Sequence, residues 1–212
     1  MKIPGIEQDR RRRLARIAAG QAGYFTSRQA ASVGYSTRLQ HHHASRGNWR
    51  RVERGIYRFP EWPPGDHEDL ALIGLWSGPE GVISHDSALE FHGLSDVLPN
   101  QVHVTIPPGF RKRRDRVVLH KADLEHSDIA DQVGFRITTP LRTIADAARS
   151  ALSPEHLEAA VRDGLRLGLF RNAKLLDLAL ELPHDAAVRL RAAVKAAERS
   201  DPSALPSKTL GY

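Results

Sequence analysis

The sequence predicts an α+β protein in which short helices and a hairpin come first, a mixed α/β body follows, and further helices end the chain. Three observations predict this class. Helix-forming segments separated by glycines occupy the first 47 residues. Runs rich in Val, Ile and Thr at 102–106, 117–121 and 133–139 have the composition of strands. After Ser153, Leu157, Val161, Leu165 and Leu169 are spaced by four, which indicates a helix with one buried face.

The chain opens with its longest early helical segment, over Glu7–Ala22. Leu14, Ile17 and Ala18 form an apolar stripe with the i, i+3, i+4 spacing of one helix face. Gly23 ends the segment. This pattern predicts one amphipathic helix at the start of the chain.

Two shorter helices follow, joined by a tight turn. Thr26 precedes the second helix and Gln29 stands three residues on, which is the spacing of a capping box. Gly34 ends that helix, and Ser36 is the predicted cap of a third helix over Thr37–Arg46. Two short helices with a glycine in the turn between them are typical of a helix-turn-helix.

A basic hairpin is predicted directly after the third helix. The segment NWRRVERGIYRF, residues 48–59, places β-branched and aromatic residues on both sides of Arg54-Gly55. Three helices followed by a hairpin is the order of a winged helix-turn-helix. We assign this DNA-binding domain to residues 1–60.

A proline-rich segment, EWPPGD at 61–66, marks the predicted start of the body, which we place at residues 61–200. Its helices are expected near His67–Trp76, after Ser84, and after Pro140. The last residues, 201–212, are polar and are expected to form a flexible tail.

Charge is distributed unevenly along the chain. The net charge is +6, but residues 1–60 hold 13 Lys and Arg against three acids, a net +10, and the remainder carries a net −4. A strongly basic head on an acidic body indicates a nucleic-acid contact in the head. A solvated basic face that serves only solubility is the alternative.

Composition excludes several classes of protein. The chain has no cysteine, which excludes disulfides, thiolate catalysis and cysteine-ligated zinc. No run approaches the roughly 18 apolar residues of a membrane span, and no signal peptide is recognisable at the start. We expect a cytoplasmic location, no membrane association and no cofactor.

Three consecutive histidines, His41, His42 and His43, invite a metal interpretation. Adjacent helical residues point about 100° apart, so three in a row do not converge on one ion, and no metal site is predicted here. His43 is expected to pack with Leu39 and Ala44. The remaining polar residues of the helix are expected to face DNA: Ser36, Thr37, Arg38, His41, His42 and Ser45.

Two further groups of basic residues are candidate contacts. Arginines on or near the hairpin are predicted to contact phosphates: Arg50, Arg51, Arg54 and Arg58. A second basic patch lies in the body: Arg111, Lys112, Arg113, Arg114 and Arg116. Three interpretations of this patch stay open: it extends the DNA-binding surface, it binds an acidic partner, or it is a solvated loop.

An enzyme is the competing interpretation. The densest group of ionisable residues in the body is His85, Asp86, Glu90 and His92. No glycine-rich phosphate loop, GxSxG or HExxH motif accompanies it. We therefore expect no catalytic residue, and keep a metal-dependent nuclease targeted by the winged helix as the alternative.

Two separated blocks resemble the AbiEi-type antitoxins of type IV, abortive-infection toxin–antitoxin systems. The first consists of FTSRQAASVGYS and QHHHASRGNWRRVERGIYRF. The second consists of ISHDSALEFHGLSDVLPNQVHVTIPPGFRKRR and ITTPLRTIADAAR. The resemblance covers roughly residues 20–150.

The resemblance implies a bacterial transcriptional autoregulator that binds double-stranded DNA at repeats upstream of its own operon and counteracts a nucleotidyltransferase-like toxin. By position, it makes the outward residues of the third helix and the wing arginines the DNA contacts. Three points stay open: whether the protein binds a toxin directly, whether it is a stand-alone regulator without a toxin, and whether it is a monomer or a dimer.

Overall fold

A computed structural model describes residues 4–96 and 99–200. The predicted tail, 201–212, lies outside the described residues. The chain divides into two compact units: a first of residues 1–82, 106–112 and 131–136, and a second of the remaining residues. Helices and strands are mixed, which confirms the α+β class.

Nine α-helices occur among the described residues: α1 Pro4–Ala19, α2 Ser27–Ser32, α3 Thr37–Ser45, α4 Glu68–Ser77, α5 His85–Phe91, α6 Pro140–Arg149, α7 Pro154–Arg166, α8 Asn172–Glu181 and α9 His184–Ser200. The capping box predicted at Thr26 and Gln29 is present, and the side chain of Ser36 accepts a hydrogen bond from the backbone of Leu39. The predicted starts of α2 and α3 are therefore confirmed.

Within residues 4–96 and 99–200, eight strands form two sheets: β1 Tyr24–Thr26, β2 Arg50–Glu53, β3 Ile56–Arg58, β4 Val82–Ile83, β5 Val102–Ile106, β6 Val117–Lys121, β7 Ile129–Gln132 and β8 Phe135–Thr138. The first sheet is antiparallel in the order β1-β3-β2, and the second has the order β6-β5-β4-β8-β7. In the second sheet β4 pairs in parallel with β8, with Ile83 opposite Ile137.

An aromatic cluster forms the core of the first unit around the fully buried ring of Phe25. Trp49 and Phe59 each lie with their ring centroids 4.9 Å from that of Phe25. Leu14 and Ala18 add the apolar stripe of α1 and are fully buried, as predicted. Large rings that pack at these distances hold the short hairpin against the helices of this unit.

The core of the second unit is built from the apolar faces of α5 to α9. Leu157 and Val161 of α7 are buried, as the spacing by four predicts. Leu169 is 39% exposed. The spacing does not extend to this residue because α7 ends at Arg166 and Gly168 turns the chain with a φ of 70°.

Some boundaries differ from the sequence predictions. The first helix was expected to reach Ala22 but ends at Ala19, since Ala22 and Gly23 adopt positive φ values of 52° and 83°. The strand expected over 133–139 covers only Phe135–Thr138, because Gly134, with φ of 92°, lies before it in the chain reversal after β7.

Candidate nucleic-acid interface

The third helix, α3, presents one polar and one packed face. Its outward residues are all exposed: Ser36, Thr37, Arg38, His41, His42 and Ser45. Leu39, His43 and Ala44 are half-buried against the first unit, as predicted. The exposed face carries donors and acceptors suited to base edges and phosphates. Its role in binding stays a prediction.

Gln40 fixes the position of α3 from within. It is 4% exposed, and its side-chain amide donates to the backbone carbonyls of Tyr35, at 2.9 Å, and of Ser27, at 3.1 Å. Ser27 begins α2 and Tyr35 follows it, so one side chain holds α3 against both ends of α2. Sequence reasoning missed this residue, since a glutamine on a polar helix has no distinguishing pattern.

His43 is a packing residue, as the sequence predicts. Its ring stacks on Trp49 with centroids 4.9 Å apart and an interplanar angle of 16°. The amide of Asn48 lies 3.2 Å from Nδ1, and Nε2 lies 3.3 Å from a carboxylate oxygen of Glu7. If Asn48 donates to Nδ1, the tautomer with a proton on Nε2 faces the acid. The histidine therefore joins α1, α3 and the start of the hairpin.

Tyr35 completes the same junction beneath α3. Its ring meets His43 edge-on at 5.3 Å, and only 2% of the residue is exposed. Burial, followed by the negative charge of Glu7, raises the pKa of Tyr35 to about 12. The hydroxyl therefore keeps its proton well into the alkaline range, and its hydrogen bond with the Glu7 side chain links Tyr35 to α1.

The hairpin carries three of the four predicted arginines on its exposed surface. Arg50, Arg51 and Arg54 are all exposed. The turn at Gly55 has a φ of 76°, a conformation that favours glycine, and its carbonyl accepts a hydrogen bond from the backbone of Ser27 at 2.8 Å. This hairpin, formed by β2 and β3, is the wing of the winged helix-turn-helix, and its turn is thus held against the start of α2.

Arg28 is a basic residue of this surface that sequence reasoning did not select. It is exposed, and it follows Ser27, the residue bonded to the wing turn. Arg28 and Arg54 line the same open cleft, about 1210 Å³ in volume, within the first unit. The available signal was an arginine in the first turn of α2, but only the fold places that turn beside the wing.

Arg58 does not belong to the exposed surface, contrary to the prediction. It lies on β3, the central strand of its sheet, and is 9% exposed. Its guanidinium pairs with Glu68 and donates to the carbonyl of Pro63 at 3.1 Å. Arg58 is a structural residue of the first unit, because a buried, paired guanidinium is not free to meet a phosphate.

The arginines of α1 are partly neutralised within the chain. Arg11 pairs with Glu61 at 2.6 Å and Arg13 with Asp9 at 2.5 Å. Both pairs are exposed, so they add little stability. They do lower the net positive charge that this helix offers to a polyanion.

The second basic patch is divided between the units. Arg111 and Lys112 belong to the first unit, whereas Arg113, Arg114 and Arg116 belong to the second. Lys112 donates to the carbonyl of Trp76 at 2.9 Å. Its ammonium group is therefore already used in holding the end of α4.

The ionisable cluster of the body lies in the second unit, on and around α5. The side chain of His92 donates from Nε2 to the carbonyl of Thr138 at 2.8 Å, and Nδ1 of His85 lies 2.9 Å from the hydroxyl of Ser84. Among residues 4–96 and 99–200, no three His, Asp or Glu side chains are arranged to hold a metal ion. In the same ranges no helix is long and apolar enough to span a membrane.

Comparison with a solved structure supports the fold. The crystal structure of the RV2827C protein from Mycobacterium tuberculosis is similar, with a TM-score of 0.59 and 14% sequence identity. The match covers 96% of this chain and 80% of that one. At this identity the similarity shows the fold alone. None of the curated proteins matches the chain.

Comparison with family models concerns the region that holds the candidate interface. Residues 12–60 match the family described as "Transcriptional regulator, AbiEi antitoxin". The match runs from within α1 through α2 and α3 to the end of the hairpin. Over these residues the N-terminal region is similar to the AbiEi antitoxin family of transcriptional regulators.

Proposed function

We propose that this protein is a DNA-binding transcriptional autoregulator that represses its own operon and acts as an antitoxin against a nucleotidyltransferase-like toxin. The single observation that carries the proposal is the exposed polar face of α3 beside an exposed basic hairpin. The family match over residues 12–60 supports the regulator role.

In the proposed complex α3 enters the major groove of duplex DNA. Arg38, His41 and His42 lie on its outward face and have the donors that base edges require. Arg50, Arg51 and Arg54 of the wing contact phosphates, which position the protein without reading sequence. Arg28 adds a fourth phosphate contact beside the wing turn.

The rigid connection between wing and helix favours sequence-specific binding. Gln40 joins α3 to Ser27, and Ser27 joins α2 to the wing turn at Gly55. Phosphate contacts made by the wing therefore set the register in which α3 meets the bases. Preorganised groups lose less conformational entropy when they bind.

The first experiment is fluorescence anisotropy with two labelled duplexes, the DNA upstream of the gene and a shuffled duplex of the same composition. Across a series of salt concentrations we expect tighter binding to the upstream DNA by about tenfold or more and a steep salt slope. Equal affinity for both duplexes would contradict a sequence-specific autoregulator and leave only non-specific charge.

The antitoxin role is tested separately by co-expression with a nucleotidyltransferase-like toxin encoded next to the gene. Restored growth is the expected result. A variant with Arg38→Ala and Arg54→Ala separates the two roles, since it weakens DNA binding but leaves the second unit intact. Specific DNA binding without growth rescue would make the protein a stand-alone regulator.

The proposal gives the chain no catalytic role. Incubation with supercoiled plasmid and magnesium or manganese should leave the plasmid intact. Nicking by the wild-type protein that disappears in Asp86→Ala would instead favour a nuclease targeted by the winged helix.

A further inference from the structure

Helix α5 is tied to the strands of the second unit by short polar side chains. The hydroxyl of Ser84 accepts a hydrogen bond from Thr105 of β5 at 2.8 Å, and Ser87 accepts one from the backbone of His103 at 3.0 Å. His92 reaches the carbonyl of Thr138 at the end of β8. The block ISHDSALEFHGL, which the DNA-binding role does not use, thus anchors one helix at several points.

Three histidines meet at the N-terminal end of this helix. The rings of His85 and His120 stack with centroids 3.5 Å apart and an interplanar angle of 10°. Nε2 of His120 lies 3.1 Å from Nδ1 of His103, which is a hydrogen bond between two rings. In such a bond one nitrogen donates and the other accepts, so at least one ring is neutral.

One acid and two arginines surround the three rings. The carboxylate of Asp86 lies 3.8 Å from Nε2 of His103 and favours a first proton on the His103–His120 pair. Arg142 and Arg149 of α6 disfavour a charge on His85. A single proton therefore has a partner in Asp86, but a second charge would face a positive ring and the two arginines.

The backbone at this point is held in an uncommon conformation. His85 has a φ of 51°, in the left-handed region that a non-glycine residue rarely adopts. Ser84, the residue before α5, does not cap the helix with its side chain. This start of α5 therefore depends on the surrounding side-chain contacts rather than on local preference.

We propose that His85, His103 and His120 form an acid-sensitive latch, which holds the start of α5 against β5 and β6 while the rings are neutral and releases it when a second ring becomes charged. Repulsion between adjacent imidazolium rings and the relief of the strained backbone at His85 then act in the same direction. The latch lies within the second unit and is independent of the proposed DNA contacts.

The direction of the pH effect follows from burial. Burial lowers the pKa of His85 to about 3, and the positive charges of His120 and His103 lower it further. Burial also lowers the pKa values of His103 and His120 themselves. A released ring regains the ordinary histidine pKa of 6.5. The released state thus binds more protons, so the latch is complete above pH 6.5 and weakens as the pH falls below it.

Hydrogen–deuterium exchange of the full-length protein tests this directly. In peptides covering residues 84–92, the opening constant should rise about tenfold per pH unit below pH 6.5 for each proton taken up on opening. All three tryptophans, Trp49, Trp62 and Trp76, lie in the first unit. Tryptophan fluorescence should therefore stay constant over the pH range in which these peptides open.

Two variants and one control make the test specific. His120→Phe keeps a ring against His85 but takes up no proton, so the pH slope of opening should become shallower by about one proton. Asp86→Asn removes the partner of the first proton and so lowers the proton affinity of the closed state; the opening constant below pH 6.5 should therefore be larger than in the wild type at the same pH. His126→Gln, which changes an exposed histidine of the same unit, should match the wild type.

Three outcomes would overturn the latch. One is an opening constant at residues 84–92 that does not change between about pH 7 and pH 5. Another is a slope that is the same in His120→Phe as in the wild type. The third is a fluorescence change that coincides with opening, which would indicate general acid unfolding. If His120→Phe fails to fold, Asp86→Asn alone decides the sign of the effect.

Discussion

The guanidinium of Arg58 is paired with the carboxylate of Glu68, and this pair joins the central strand β3 to the first turn of α4. The same guanidinium lies 5.3 Å from the centre of the Tyr24 ring. The side chains are 10% and 26% exposed, so both charges are largely removed from water. A basic residue that resembles a phosphate contact in sequence is thus an internal cross-link of the first unit.

Breaking this pair should destabilise the first unit. Arg58→Ala leaves the Glu68 carboxylate half-buried without its partner, and we expect a loss of about 3 kcal/mol in the free energy of unfolding. Urea unfolding followed by tryptophan fluorescence measures it, since all three tryptophans lie in this unit. Arg54→Ala, an exposed arginine on the same hairpin, is the matched control and should change stability by less than about 0.5 kcal/mol.

The arginines of the wing and of the start of α2 should contribute equally to the binding affinity for all DNA sequences. Arg54→Ala and Arg28→Ala each remove one proposed phosphate contact, so each should lower the slope of log affinity against log salt by about 1. Anisotropy titrations on the upstream and shuffled duplexes measure both slopes. Arg162→Ala, on α7 of the second unit, is the control; an equal change in that variant would indicate a general charge effect.

Arg38 should behave differently because it lies on the outward face of α3. If it contacts a guanine, Arg38→Ala should reduce the preference for upstream over shuffled DNA by roughly 1–3 kcal/mol. The measured quantity is the ratio of the two affinities at one salt concentration. Equal losses on both duplexes would remove Arg38 from the residues that read bases and make it a phosphate contact.

Gln40 should affect stability and specificity together. Gln40→Met keeps the volume but leaves the carbonyls of Ser27 and Tyr35 without their donor, which should cost about 1–3 kcal/mol of stability. Because α3 is then free to shift against the wing, binding to upstream DNA should weaken more than binding to shuffled DNA.

The control for Gln40 is Gln29→Met, which removes the capping box of α2 without touching α3. It should lower stability while leaving the affinity ratio of the two duplexes unchanged. Were both variants to lose stability with unchanged ratios, Gln40 would be a packing residue with no role in positioning the recognition helix.

Local signals in the sequence were sufficient wherever a single short segment decides the structure. The capping box at Thr26 and the serine cap at Ser36 are formed within three residues, so they could be read directly. The packed face of α3 follows from helical periodicity in the same way. The short strands β1, β4 and β7 were missed, because they become strands only through pairing with their neighbours in the sheets.

The sequence by itself determined the class of the fold, the basic head and the outward face of α3, because composition, charge and periodicity are local properties. Only the tertiary structure decided that Arg58 is buried and paired with Glu68, that Arg28 lies beside the wing turn, and that three histidines distant in the chain meet at the start of α5. These relations depend on contacts between segments far apart in sequence. No local pattern specifies them, because they follow from how sheets and helices pack around a shared core.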